Sequence, residues 1–206
     1  MEDYRTIAGV ATGEYEEKKS RFIATAASAE SEERALVVLE QVRAENRTAR
    51  HNVYAYRLRD GSRERYSDDG EPAKTAGTPV LETIRHAGLE DVIVVVTRYF
   101  GGILLGTGGL VRAYTAAAQA ALAAARIVTV RSVVECTITV DYALYEQAQR
   151  LIQGSPSSAV DAQFADKVTL HWTMPAGTQG PLADALQELT RGAARPQVSE
   201  PFYAPF

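Results

Sequence analysis

Hydrophobic and polar positions alternate along this chain with two different periods, and the sharpest departure from both is the unbroken run Val92-Ile93-Val94-Val95-Val96. Consecutive β-branched residues with no polar interruption are the pattern of a strand buried on both faces. Before it, Tyr4–Ala11 and Glu14–Ala26 read as strands around a turn at Thr12-Gly13, the second amphipathic and opening with Lys18, Lys19 and Arg21. Ala35, Leu36, Val38, Leu39 and Val42 then recur at helical spacing. With Ser31 as N-cap and Glu32 and Glu33 in the first turn, residues 32–45 are expected to form an amphipathic helix over a sheet. Val53, Tyr54 and Tyr56 mark a strand over 52–58, and Asp60-Gly61 a turn into a charged strand or loop ending near Tyr66. A second helix is bounded by Thr78 as N-cap, Pro79 at its first position and Gly88 just beyond its end. After the valine strand come a glycine-rich loop and an alanine-rich helix, Leu110 to Ala125. This order lacks a regular βαβ repeat and predicts an α+β fold with helices on one face of a sheet.

A second domain is expected from about residue 131, giving domains over 1–130 and 131–206. Val134, Cys136, Ile138 and Val140 alternate with Glu135, Thr137 and Thr139, a half-buried strand. Asp141 opens a helix to about Gln153, stopped by Gly154-Ser155-Pro156. Val160–Ala165 and Val168–Met174 read as a hairpin, Leu182–Leu189 as a short helix and Gln197–Tyr203 as a last strand. That βαββαβ order is the ferredoxin-like split βαβ arrangement.

Composition narrows the function classes. With 206 residues, 46% hydrophobic, a net charge of −4 and a pI near 5.5, the chain has material for a sizeable core and is not a basic nucleic-acid coat. The single cysteine, Cys136, rules out a disulfide framework and points to a reducing compartment. Met1-Glu2-Asp3-Tyr4-Arg5 is not the cationic start of a signal peptide, and no apolar run is long enough to span a bilayer. The expectation is a soluble cytoplasmic protein without membrane contact, of undetermined oligomeric state.

Three stretches carry candidate chemistry. Gly101, Gly102, Gly106, Gly108 and Gly109 lie between a buried strand and a helix, bracketed by Arg98 and Arg112. Backbone N–H groups in that setting can converge on an anion; equally, the glycines can serve only to let a loop fold tightly. Their spacing matches neither the dinucleotide nor the P-loop pattern. Residues 43–65 hold seven arginines (43, 47, 50, 57, 59, 63, 65) and His51 against Glu45, Asp60 and Glu64, interleaved with Tyr54 and Tyr56 and followed by Tyr66. Guanidinium forks beside aromatic rings suit phosphate contact and base stacking; the plainer reading is a solvated face of ion pairs. The surplus of positive charge in an acidic protein favours an anionic partner. In the third stretch, Asp68, Asp69 and Glu71 resemble a hard-cation site. Asp-Asp-Gly-Glu-Pro is also a turn in which carboxylates cap amides, and without a second ligand cluster the loop-ordering role is favoured. No nucleophile elbow, zinc-spaced His/Cys set or kinase motif is present, so no catalytic residue, metal or cofactor is expected. Cys136, His86, His171 and Trp172 read as structural.

Arg98-Tyr99-Phe100-Gly101-Gly102, followed by Leu105-Gly106-Thr107-Gly108-Gly109-Leu110-Val111-Arg112-Ala113-Tyr114, resembles the signature of the YigZ/Impact family of uncharacterised, translation-linked proteins. Ser67-Asp68-Asp69-Gly70-Glu71-Pro72, Thr75-Ala76-Gly77-Thr78-Pro79, Lys18-Lys19-Ser20-Arg21-Phe22-Ile23 and Arg50-His51 agree with it. The resemblance implies a first domain like the second domain of small-subunit ribosomal protein five, and a second like the ferredoxin-like fifth domain of elongation factor G. It departs at Ala73-Lys74, where the family has a small pair ending in glycine; either the loop bends differently or Lys74 adds a cation beside the glycine loop. Eukaryotic Impact relatives carry an extra N-terminal domain and temper a translation-initiation kinase pathway. No such domain is read in these residues, and that role is not expected to carry over.

The expected function is non-catalytic binding of RNA or the ribosome, with a possible role in translation regulation. The binding set is His51, Arg57, Arg59, Arg98, Gly101, Gly102, Gly106, Gly108, Gly109 and Arg112, beside a loop motif of Asp68, Asp69, Gly70, Glu71, Pro72, Thr75 and Gly77. The rival is an enzyme that holds a phosphate or nucleotide on the glycine loop, with Asp68, Asp69 or Glu71 carrying Mg²⁺ or acting as base. A protein–protein adaptor is a third class, which no residue supports or excludes.

Overall fold

The computed structural model describes residues 3–206, which form two compact units, one over residues 4–128 and one over 129–206 with Asp3. The first unit starts with β1 (Tyr4–Ala8), β2 (Val10–Glu17), β3 (Ser20–Ser28) and α1 (Glu32–Glu45). It continues with β4 (His51–Leu58), β5 (Arg63–Ser67), α2 (Gly77–Ala87), β6 (Val92–Tyr99) and α3 (Gly106–Ala124). Its antiparallel sheet has the order β2-β3-β6-β4-β5, with β6 at the centre.

The valine strand sits where its composition demands, but helices cover both faces of the sheet rather than the one face expected. Val92, Val94 and Val96 pack with Phe22, Ala24, Val53 and Ala55 under α2 and α3. Ile93 and Val95 point the other way, into a cluster with Tyr56, Leu58 and the Ala35, Leu39 and Val42 face of α1. A strand apolar at every position needs cover on each side, and α1 supplies the second.

Local signals place most element ends. Ser31 accepts a hydrogen bond from the Arg34 N–H at the start of α1, and Gly88 ends α2 in the left-handed region at φ 63°. Three readings are corrected. The first hairpin turns at Lys18-Lys19, both with positive φ (47° and 67°), and not at Thr12-Gly13. Gly13 instead lies within β2, where a Cβ would stand 2.3 Å from the Ala121 nitrogen, so it admits the backbone of α3 against the strand. Helix α2 begins at Gly77, so Thr78 is inside it and is not its cap. Helix α3 begins at Gly106, four residues before the expected Leu110, so three of the five glycines belong to its first turn.

The second unit contains most of β7 (Arg126–Val140), then α4 (Tyr142–Gln153), β8 (Ser158–Phe164), β9 (Val168–Pro175), α5 (Gly180–Leu189), β10 (Gln197–Val198) and β11 (Phe202–Pro205). Strand β7 pairs antiparallel with β9 on one side and with β10 and β11 on the other, and β8 lies beyond β9. This strand order is that of the split βαβ arrangement. Its core joins Val134, Cys136, Ile138 and Val140 to Ile152, Leu170, Trp172 and Leu186. Cys136 is buried there, which pushes its thiol pKa up. Among the described residues no helix is long and apolar enough to cross a membrane.

Candidate functional site

Antiparallel pairing brings the start of β4 to the end of β6, so that His51 stands opposite Arg98. The loop between β5 and α2 closes over the same end of the sheet, and its acidic residues take three separate structural jobs. Asp68 accepts hydrogen bonds from the N–H groups of Lys74 (2.9 Å), Ala76 (3.1 Å) and Gly77 (2.8 Å), and so caps α2 from nine residues away. Asp69 accepts from the Asn52 N–H at 2.6 Å and faces Arg43 at 3.5 Å. Gly70 takes φ 85°, and the Thr75 hydroxyl donates to the Pro72 carbonyl at 2.6 Å. A Cβ on Gly77 would meet the Ser67 carbonyl at 2.8 Å, so this position also joins the loop to β5.

Glu71 turns inward. Its Oε1 receives Arg98 Nη1 at 2.6 Å and the Tyr114 hydroxyl at 2.7 Å. Burial, followed by the charge of Glu71, raises the Tyr114 pKa well above the ordinary phenol value, so the hydroxyl remains a donor. The Arg98 guanidinium also lies 5.5 Å from the Phe22 ring centroid and 5.6 Å from that of Phe100. Its side chain is only 7% exposed, yet its Nε is buried without a hydrogen-bond partner. Arg98 is thus a compensated, buried cation rather than a mobile surface one. With Asp68 and Asp69 on amides and Glu71 on Arg98, no cluster of three His, Cys, Asp or Glu that could hold a metal ion occurs among the described residues.

The glycine segment divides into two functions. Gly101 packs against the Lys18-Lys19 turn so closely that a Cβ would stand 2.1 Å from the Lys19 carbonyl carbon, and its N–H donates to Ser20 Oγ at 3.1 Å. Gly102 and Gly106 have positive φ, 84° and 70°. A Cβ on Gly109 would touch that of Leu105 at 3.0 Å, whereas Gly108 has neither a positive φ nor a close neighbour. Helix α3 starts at Leu105–Gly106 with no side-chain cap and no acid in its first turn. Its first N–H groups therefore keep their partial positive charge.

These parts enclose a cavity of about 450 Å³ lined by Arg50, His51, Glu71, Pro72, Arg98, Phe100, Leu104, Leu105, Gly106, Thr107 and Leu110. His51 Nδ1 lies 2.7 Å from the Asp69 carbonyl oxygen, which requires an N–H there; Nε2 lies 4.0 Å from Glu71 Oε1. The site thus gathers His51, Arg98 and the start of α3. Arg112 is exposed on that helix, its Nη1 near Gly108.

Arg57 and Arg59 are not part of this site. Arg57 pairs with Val92 at the other end of the sheet and is held by Glu64 (3.3 Å) and Glu90 (3.2 Å). Arg59 lies over the Tyr4 ring, 4.3 Å from its centroid. Arg43 and Arg65 pair with Glu40 and Glu32. Tyr56 is 2% exposed beneath α1 and offers no stacking face. The arginine-rich segment is therefore largely an internally paired face. Arg50, Phe100, Leu104, Leu105, Thr107 and Leu110 were the lining residues outside the expected set; the signal available was their position in or beside the motifs. Lys74 takes φ 62°, the backbone of a glycine, and lines a different groove, between α2 and α3. The loop therefore keeps a glycine-like bend, and Lys74 contributes no cation to the cavity.

The motif residues that build this end of the sheet fall within residues 18–122, which match the Impact N-terminal domain family; residues 138–193 match a domain of unknown function (DUF1949). The chain is 42% identical to an IMPACT family member of Thermus thermophilus, over 85% of its own length and 96% of the relative's. It is 34% identical to the IMPACT family member YigZ of Escherichia coli, over 94% and 96%. A solved structure described as that of an hypothetical protein superposes with a TM-score of 0.63 at 33% identity, covering 97% of this chain and 98% of that one. The chain belongs to the IMPACT family.

Proposed function

We propose that this protein is a non-catalytic, cytoplasmic RNA- or ribosome-binding protein that acts in translation, and that its first unit contacts phosphate at the start of α3. The observation that carries this reading is an uncapped helix N-terminus without acids, opening on a cavity also lined by Arg50, His51 and Arg98. A helix N-terminus in that setting favours anions. The likeness of the family's domains to ribosomal protein five and elongation factor G, implied by the sequence motifs, supports RNA as the source of the anion.

A salt titration against single-stranded RNA, duplex RNA and ribosomes tests this. Affinity is expected to fall linearly on a log–log plot as salt rises. Arg50→Gln and Arg112→Gln should weaken binding, and Arg57→Ala with Arg59→Ala should not. Absence of binding at low salt would remove the proposal.

One observation favours the enzymatic alternative. Donation from Nδ1 to the Asp69 carbonyl leaves His51 Nε2 on the cavity side, the orientation of a general base. Turnover of a phosphate ester lost in His51→Gln would support it.

A further inference from the structure

The geometry points to a mononucleotide site: the cavity takes a nucleoside phosphate, its phosphomonoester at the first turn of α3 and its base against the apolar wall. This rests on the phosphate-binding reading above and names the ligand class of that same site. Three observations combine.

First, the cavity combines polar and apolar lining: Arg50, His51, Glu71, Arg98 and Thr107 with Pro72, Phe100 and Leu104. Phe100 is 45% exposed and Leu104 is 82% exposed, a large apolar surface left beside a cationic site. A flat base resting on Phe100 would cover it, as bases do on aromatic platforms. At about 450 Å³ the cavity falls in the size range of small-ligand sites and not of an extended groove.

Second, the cavity borders uncompensated positive charge. Arg43, Arg57 and Arg65 are occupied by carboxylates, and Arg57 is at the far end of the sheet. An uncapped helix start and Arg50 border one cavity with Arg98, whose charge Glu71 balances but whose buried Nε has no partner. Concentrated charge favours a monoester, which carries about −1.5 to −2 charges near neutral pH, over a diester with one.

Third, Gly108 has no structural requirement for glycine. Its φ is not positive, and the nearest atom to a Cβ would be Arg112 Nη1 at an ordinary 3.7 Å. Glycine within a helix is less stable than alanine, and this position leaves the backbone bare in the first turn of α3, next to Thr107, which lines the cavity. The ligand is either a free nucleotide or the phosphorylated end of an RNA chain.

The 206-residue chain is titrated with one short RNA carrying a 5′-phosphate, the same RNA with a 5′-hydroxyl, the same RNA with a 3′-phosphate, and free nucleoside monophosphates. A terminal phosphate is expected to tighten binding about tenfold or more, the worth of one added charge-assisted hydrogen bond. Thr107→Asp, which sets a carboxylate in the exposed first turn, should abolish that gain. Gly108→Ala should reduce it while leaving the thermal midpoint equal or higher. Phosphate-dependent RNA binding lost in both variants establishes the site with an RNA end as its source. Binding of monophosphates alone, with the same variant losses, supports the site with a free nucleotide as its source and removes the RNA function. Equal, salt-sensitive binding of the phosphate and hydroxyl RNAs overturns the mononucleotide site and leaves the RNA reading standing. No binding of any probe overturns both.

Discussion

Arg98 and Glu71 form a buried ion pair, Nη1 to Oε1 at 2.6 Å, with side chains 7% and 4% exposed. The pair joins the central strand to the loop before α2, and Tyr114 ties α3 to the same oxygen. Breaking one member of such a pair leaves an uncompensated charge in a poorly solvated place, at a cost of about 3–5 kcal/mol. Glu71→Ala is therefore expected to lower unfolding free energy by about that amount. Combining it with Arg98→Met should cost less than the two single changes together, because the orphaned cation is then gone. Urea denaturation of the two singles and the double measures this, and strictly additive losses would refute it.

Asp68 serves α2 as a remote cap, accepting from three N–H groups including that of Gly77. Replacing it with alanine leaves those donors at a buried helix start, and about 1–2 kcal/mol should be lost. Asp68→Asn keeps an acceptor oxygen and should lose less. Thermal unfolding of both variants decides it: an equal loss would show that the charge, and not the acceptor, is what matters.

The start of α1 and the end of α2 were legible because their causes are local: Ser31 and Gly88 act within one turn of the residues they cap. Gly13 was misread because its reason is tertiary, the backbone of α3 lying where a Cβ would be. The Lys18-Lys19 turn carried no glycine or asparagine to announce it. The second helical layer was implicit in the valine strand, since a run apolar on both sides needs two covers. At the candidate site, the motifs name residues that the fold gathers at one end of the sheet, but they do not show what each charge faces. Glu71 reaches Arg98 across 27 residues of sequence, and Arg65 reaches Glu32 across 33. Pairings at that distance exist only once the sheet register is set, which is why the arginine-rich segment read as a free cationic surface.

Glu64 supplies a pH-dependent prediction. The hydrogen bond from Arg85, aided by the Arg85 and Arg57 charges, holds its carboxyl below the usual glutamate range. A group with a depressed folded pKa stabilises fully above its unfolded value, about 4.3 for glutamate, and the contribution fades as pH falls through the lower folded value. Glu64→Gln should thus be less stable than the parent at neutral pH by a margin that stays constant down to about pH 5 and closes below about pH 4. Chemical denaturation across that range reads the margin directly; a gap unchanged at acid pH would assign the loss to packing instead.

Lys74 adopts φ 62°, a region where a side chain crowds its own backbone and glycine does not. The conformation is held because the Lys74 N–H must reach Asp68 Oδ2, at 2.9 Å, for the loop to cap α2. Lys74→Gly keeps that hydrogen bond and removes about 1 kcal/mol of backbone strain. Against it stands the greater freedom of glycine in the unfolded chain, about 0.5 kcal/mol or somewhat more. A small net gain is expected, which in a chain of this size raises Tm by about 1–2 °C. Lys74→Ala retains the strained backbone and should show no gain, while Lys74→Val, branched at Cβ, should lose stability. A rise in Tm with alanine equal to that with glycine would show that the lysine side chain, through its place in the groove between α2 and α3, and not its backbone, is the source of the cost.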